Sequence, residues 1–116
     1  MRDIIEIEKE LIPYDFDIIL GSEIFNFEIK WNEIGGFYTI TLSKDDNVLV
    51  YDEPVVYGVT LFKDVFDGDT YPCIDIVPYD ESGQNTSVTK ENFNVSVFLT
   101  IDDEQEEIVW VMYLHN

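Results

Sequence analysis

Phe25, Phe27, Ile29 and Trp31 occupy alternate positions of the run 23–31, and Asn26, Glu28 and Lys30 fill the positions between them. A helix would scatter those four large apolar groups around its circumference, whereas a strand sets them all on one face. The run therefore reads as a strand with one buried side, and it commits its neighbours to a sheet. Upstream, residues 14–20 form a second apolar-rich segment, joined to the first by the tight turn Gly21-Ser22. Downstream, Asn32-Glu33-Ile34-Gly35-Gly36 breaks the alternation as a loop, since paired glycines reach backbone angles closed to other residues. Residues 37–42 then resume as a strand with Tyr38, Ile40 and Leu42 on one face and Phe37, Thr39 and Thr41 on the other. Lys44-Asp45-Asp46-Asn47 reads as a hairpin turn into a strand over 48–51.

The flanks of this meander are also strand-like. In residues 3–10, Ile5 and Ile7 alternate with Glu6 and Glu8 as in an edge strand, which Pro13 ends. Pro54 limits the pairing that follows residue 51, and residues 55–61 suit an extended piece with a bulge or change of direction at Gly58. A polar connection over 63–70 leads to a strand over 71–77, and its bounding Pro72 and Pro78 favour an edge or the ends of the strand. Residues 80–92 are the most loop-like part of the chain, with room for at most a short helical turn. Phe93, Val95, Val97 and Leu99 alternate with Asn94, Ser96 and Phe98 as a further strand, and 102–107 turns the chain into a closing strand over 108–114. That last run is apolar on both faces. It is either a central strand covered on both sides or a surface packed against another chain.

With 116 residues, the chain is expected to form one domain spanning 1–116. About seven strands in an all-β fold leave many hydrogen-bonding edges if they lie in one open sheet. The choices are a small antiparallel β-barrel or a compact β-sandwich. The barrel is the preferred expectation, because curling one sheet closes its edges without dividing the strands into two layers.

Twenty-five acidic residues against six basic ones give a formal net charge of −19, and the excess is spread along the whole chain. No basic stripe exists to release counterions from a phosphate backbone, so a nucleic-acid partner is not expected. A partner with a basic surface is favoured. The single cysteine, Cys73, has no second cysteine to pair with and sits in an apolar run, so it reads as a buried structural thiol. The single histidine, His115, is penultimate and poorly placed for catalysis. The N-terminal isoleucines are interrupted by Asp3, Glu6, Glu8 and Glu10, without a signal-peptide pattern, and no apolar run reaches spanning length. A soluble, unprocessed chain with no membrane partner is expected.

No catalytic constellation emerges, and no cofactor or metal is expected. Carboxylate pairs are abundant, but none stands out for acid–base work. No serine lies in a nucleophile-elbow motif, and Gly35-Gly36 lacks the neighbours of a phosphate loop. The groups Asp64, Asp67, Asp69 and Asp102-Asp103-Glu104 raise the question of calcium, but neither follows the EF-hand pattern, and both read as solvated acidic loops.

The segment 20–32, LGSEIFNFEIKWN, followed by GFYTITL at 36–42, DDNVLV at 45–50 and VYGVTL at 56–61, resembles the small plug-like baseplate proteins of contractile-tailed phages. The likeness covers roughly residues 10–62 and rests on Leu20, Gly21, Phe27, Trp31, Asn32, Tyr38, Leu42, Gly58 and Leu61. It implies a compact β-structured virion component at the tail baseplate, assembled in the host cytoplasm, and it supplies no catalytic residue. The implied partners are baseplate or tail-hub proteins. The chain departs from the family pattern where a glycine usually completes the acidic hairpin turn and Asn47 stands instead. The competing reading is an acidic interaction protein or nucleic-acid mimic that blocks a basic protein surface. Trp110, Met112 and Tyr113 of the closing segment form the candidate interface, and Trp31 is expected mainly in the core.

Overall fold

The computed structural model describes residues 3–71, 73–102 and 112–114. Among these residues eight strands run in chain order: β1 (Asp3–Ile5), β2 (Tyr14–Leu20), β3 (Glu23–Asn32), β4 (Phe37–Lys44), β5 (Asn47–Pro54), β6 (Asp75–Tyr79), β7 (Phe98–Asp102) and β8 (Met112–Leu114). They form a five-stranded sheet ordered β5-β4-β3-β2-β8 and a three-stranded sheet ordered β1-β7-β6. Every strand pairing is antiparallel. The all-β fold is thus the two-layered sandwich rather than the preferred barrel. The two sheets do not curl into one, because the chain leaves β5 at one sheet edge and re-enters at β6, an edge of the other.

The central meander follows the alternation of its residues. Phe25, Phe27 and Ile29 of β3 are buried, as are Phe16, Ile18 and Leu20 of β2 and Tyr38, Ile40 and Leu42 of β4. Phe16 pairs with Phe27 across the β2–β3 ladder, and their ring centroids lie 5.7 Å apart. The hairpin between β4 and β5 places both Asp45 and Asp46 at positive φ, the geometry of a two-residue turn that matches strand twist. Left-handed tolerance is therefore asked of the two aspartates, while Asn47 opens β5. At Asp52, also at positive φ, the β4–β5 register shifts, and the Thr41 hydroxyl takes the Asp52 amide at 3.0 Å. This bulge bends the exposed edge strand and blunts it against pairing with other chains.

The link from 55 to 74 closes the sandwich. Gly58, at positive φ, reverses the chain and donates its amide to the Pro78 carbonyl at 2.9 Å. Leu61 then bridges to Ile76, and the Phe62 amide is held by the Glu53 carboxylate at 2.6 Å. This delivers Phe62 and Phe66 against the inner face of the larger sheet, where Phe62 meets Phe27 edge-on at 5.5 Å and Phe66 meets Phe25 at 5.2 Å.

Three expected strands differ. The N-terminal edge strand ends at Ile5, although Ile7 stays buried between exposed Glu6 and Glu8. Beyond Ile5 the side chain of Asn94 takes over as the ladder partner, accepting from the Ile7 amide at 3.3 Å and donating to its carbonyl at 2.6 Å. The strand expected at 71–77 runs instead over β6, with Pro78 inside it. Proline is tolerated there because β6 is an edge. The strand expected from Phe93 begins only at Phe98. Asn92 and Asn94 draw residues 93–97 into a tight turn that leaves Val95 exposed. Cys73 is exposed rather than buried, because it precedes β6 and the core position falls to Ile74.

The ring cluster sets a direct expectation for stability. Phe27→Ala should cost about 3–5 kcal/mol, as a buried aromatic that leaves a cavity, whereas Val48→Thr on the exposed edge should stay within about 0.5 kcal/mol. Urea unfolding of the two variants checks this, and equal costs would contradict the placement of the core.

Candidate assembly surface

In the three-stranded sheet, Ile5, Leu99 and Pro78 form one cross-strand row that points into the core. The adjoining row, Ile4, Thr100 and Val77, must then face outward, together with the pair Phe98 and Tyr79. An outward face of an antiparallel sheet is ordinarily polar. Here Ile4, Val77, Tyr79 and Phe98 make it largely aliphatic and aromatic, with the acidic Asp75 farther along β6 on the same side, and even Thr100 is buried beneath its neighbours, its hydroxyl donating to the Val77 carbonyl at 2.8 Å. Ile4, Tyr79, Val95 and Phe98 line a groove of about 380 Å³ over this face, bordered by Asp80, Glu81 and Ser82. Among the described residues, no lysine or arginine lines it.

Val95 stands at the rim of that groove, 65% exposed. Its position is fixed by a polar network running through the loop that reads so featurelessly in sequence. The Asn92 carbonyl accepts the amides of Val95, Ser96 and Val97 at 3.0–3.1 Å, and the Asn94 amide, at positive φ, returns to the Val97 carbonyl at 2.7 Å. Asn85 links this turn to Asp80, donating from its amide group to the Ser96 hydroxyl at 3.0 Å and to the Asp80 carboxylate at 2.8 Å. Asp80 is buried and also accepts from the Ser82 hydroxyl at 2.6 Å and from the Ser82 and Asn85 backbone amides at 2.9 Å. Donation by the Ser82 hydroxyl and then by the Asn85 side chain holds its carboxyl at about 2. The result is an apolar knob whose conformational cost is met before any partner arrives.

A second concavity, on the outer face of β2 and β3, carries acid. Asp15, Asp17, Asp45 and Asp46 line about 540 Å³ with Lys44, and Asn26 bridges Asp15 and Asp17 with two 3.0 Å hydrogen bonds. Among the described residues, no group of His, Cys, Asp and Glu is arranged to hold a metal ion, and no helix is long and apolar enough to cross a membrane.

The residues singled out from sequence take several places. Leu20, Phe27, Tyr38, Leu42 and Leu61 lie in the core, while Gly21 and Gly58 turn the chain at positive φ. Asn32 caps its loop, accepting the Gly35 amide on its side chain at 2.9 Å and the Gly36 amide on its carbonyl at 2.8 Å. Trp31, expected in the core, is half-buried at its margin. Met112 and Tyr113 pair with Ile19 and Ile18 in β8, which among the described residues is the last strand of its sheet order, whereas residues 108–111, with Trp110, and His115 lie outside the described residues. The Ile4–Tyr79–Val95–Phe98 face escapes sequence reading because it is assembled from three distant segments. Only the apolar Phe98 at a nominally polar position hinted at it.

In the comparisons with known proteins, the family model described as "Cyanophage baseplate Pam3 plug gp18" matches residues 2–104. No curated protein matches the chain.

The Asp80 network carries a signed pH dependence. Its depressed folded pKa contributes stability that is fully present above the unfolded value of 3.8 and is lost as pH falls toward about 2. Asp80→Asn should therefore be less stable than wild type at pH 7, with the gap closing across that acid window. Urea unfolding at stepped pH measures the gap, and a gap independent of pH would contradict the assignment.

Proposed function

From the premise that the chain belongs to the cyanophage baseplate Pam3 plug gp18 family, we propose that it acts by docking onto other baseplate or tail-hub proteins of a contractile tail. It is a structural component of the phage baseplate, and the observation that carries this is the family match over 2–104. The docking face we assign is the outer side of β1-β7-β6, where apolar groups that would ordinarily be polar surround a rigid Val95. Apolar packing at the centre of such a patch governs how long a contact lasts, and charge at its margin governs encounter and register. With Glu81 at the border and a net charge of −19 overall, the matching surface is an apolar one with a basic rim. The same charge keeps free copies apart in solution, so assembly onto a partner is favoured over growth of a large homo-oligomer.

Mass spectrometry of purified particles tests both levels. The chain should co-purify with intact baseplates, and its absence from them would remove the assembly reading. Val95→Glu should unfold at an unchanged urea midpoint yet enter particles at least about tenfold less, the loss expected when a charge is buried in an apolar contact. Normal incorporation of that variant would relocate the docking face.

A further inference from the structure

Three of the six basic residues in this acidic chain line one groove. Lys9, Lys30 and Lys90 surround Trp31, with Ile12, Pro13 and Tyr38 completing the apolar floor of a concavity of about 510 Å³ and Glu33 as the one carboxylate in its lining. We infer that this groove is a second docking site, separate from the β1-β7-β6 face, that takes an acidic segment carrying an apolar side chain from a partner protein.

The floor is rigid. Trp31 stands edge-on to Tyr38 at 4.7 Å, and Tyr38 packs on Phe93 at 4.5 Å, so a ladder of rings runs from the groove into the core. The indole nitrogen donates to Glu33, which leaves that carboxylate engaged and the indole fixed. The Lys90 ammonium lies 5.5 Å from the Trp31 ring centroid.

The cations are not equivalent. Lys30 is committed, with Asp52 at 2.9 Å raising its pKa and lowering that of Asp52. Lys9 donates to the Glu91 carbonyl at 3.1 Å, which fixes its ammonium without neutralising it. Among the described residues, neither Lys9 nor Lys90 has a carboxylate within ion-pair distance, in a chain with four acids for every base. Two ammonium groups beside an aromatic floor match a carboxylate flanked by a proline or aliphatic side chain. Of the acids close by, Glu33 is engaged by the Trp31 indole and Asp52 by Lys30, while Glu91 acts on Tyr38 of the floor and opposes the two ammonium groups in part; charges beyond about 8 Å are largely screened at physiological salt.

Isothermal calorimetry on the full chain tests the site with a capped peptide, Glu-Leu-Pro-Glu-Leu-Glu, and its counterpart with Lys in place of each Glu. Saturable binding of the acidic peptide alone is expected at about 0.15 M salt. Lys9→Glu and Lys90→Glu should each weaken it at least about fivefold, while Lys63→Glu, which changes the net charge equally but lies outside the groove, should stay within about twofold. Blue-shifted emission in a Trp110→Phe background gives an independent readout of Trp31. No saturable binding, equal binding of the Lys peptide, or an equal effect of Lys63→Glu would overturn the inference. So would self-association abolished by Lys90→Glu without peptide binding, which would make a second copy the occupant. None of these outcomes bears on particle incorporation through the other face.

Discussion

The sandwich depends on aromatic rings meeting between its layers. Phe25 and Phe27 project from the middle of the longest strand, and the chain returns over them with Phe62 and Phe66, whose own centroids are 6.2 Å apart. Tyr71 closes the other side of Phe25 at 5.5 Å. These contacts place a link with little regular structure of its own, residues 55–74, against the large sheet, and that link positions β6 and therefore the whole three-stranded sheet. Burial of large rings contributes both area and directional edge-to-face packing.

Once the layers are locked, surface chemistry is set by short polar side chains. Asn and Asp residues bond local backbone groups and tolerate left-handed geometry, so they can hold a loop still without any regular element. Asp80, Asn85, Asn92 and Asn94 do this from Tyr79 to Val97, and Asn94 also stitches the N-terminal segment to the same loop. A small protein that works by contact gains from such economy: its apolar groups are displayed in one arrangement, and little ordering cost is left for the encounter.

The meander was legible because period-two alternation in β2, β3 and β4 reports burial directly, and the turns between those strands carry Gly or Asp where positive φ is needed. Residues 93–97 carry the same alternation and mislead, since Phe93 and Val97 are buried through a turn while Val95 is not, and the strand begins only with Phe98. Periodicity cannot distinguish a strand from a turn that happens to bury alternate positions. The choice between barrel and sandwich was equally hidden, because it rests on where the 55–74 link carries the chain, which is a tertiary matter. Cys73 was misjudged from its apolar neighbours, since a residue just ahead of a strand need not share that strand's burial. Of the surface, composition disclosed the acid. The Val95 face and the Lys9–Lys90 groove are formed by residues far apart in sequence, and beyond Phe98 at a nominally polar position no local pattern announces either.

We propose that this member of the plug family docks through the outer face of its smaller sheet. Hydrogen–deuterium exchange compared between the free chain and the chain within purified baseplates measures that most directly. Additional protection should concentrate at residues 79–82 and 94–98, with the β5 edge at 47–52 unchanged. Protection confined to the β5 edge, with 79–82 and 94–98 exchanging as in the free chain, would contradict the account.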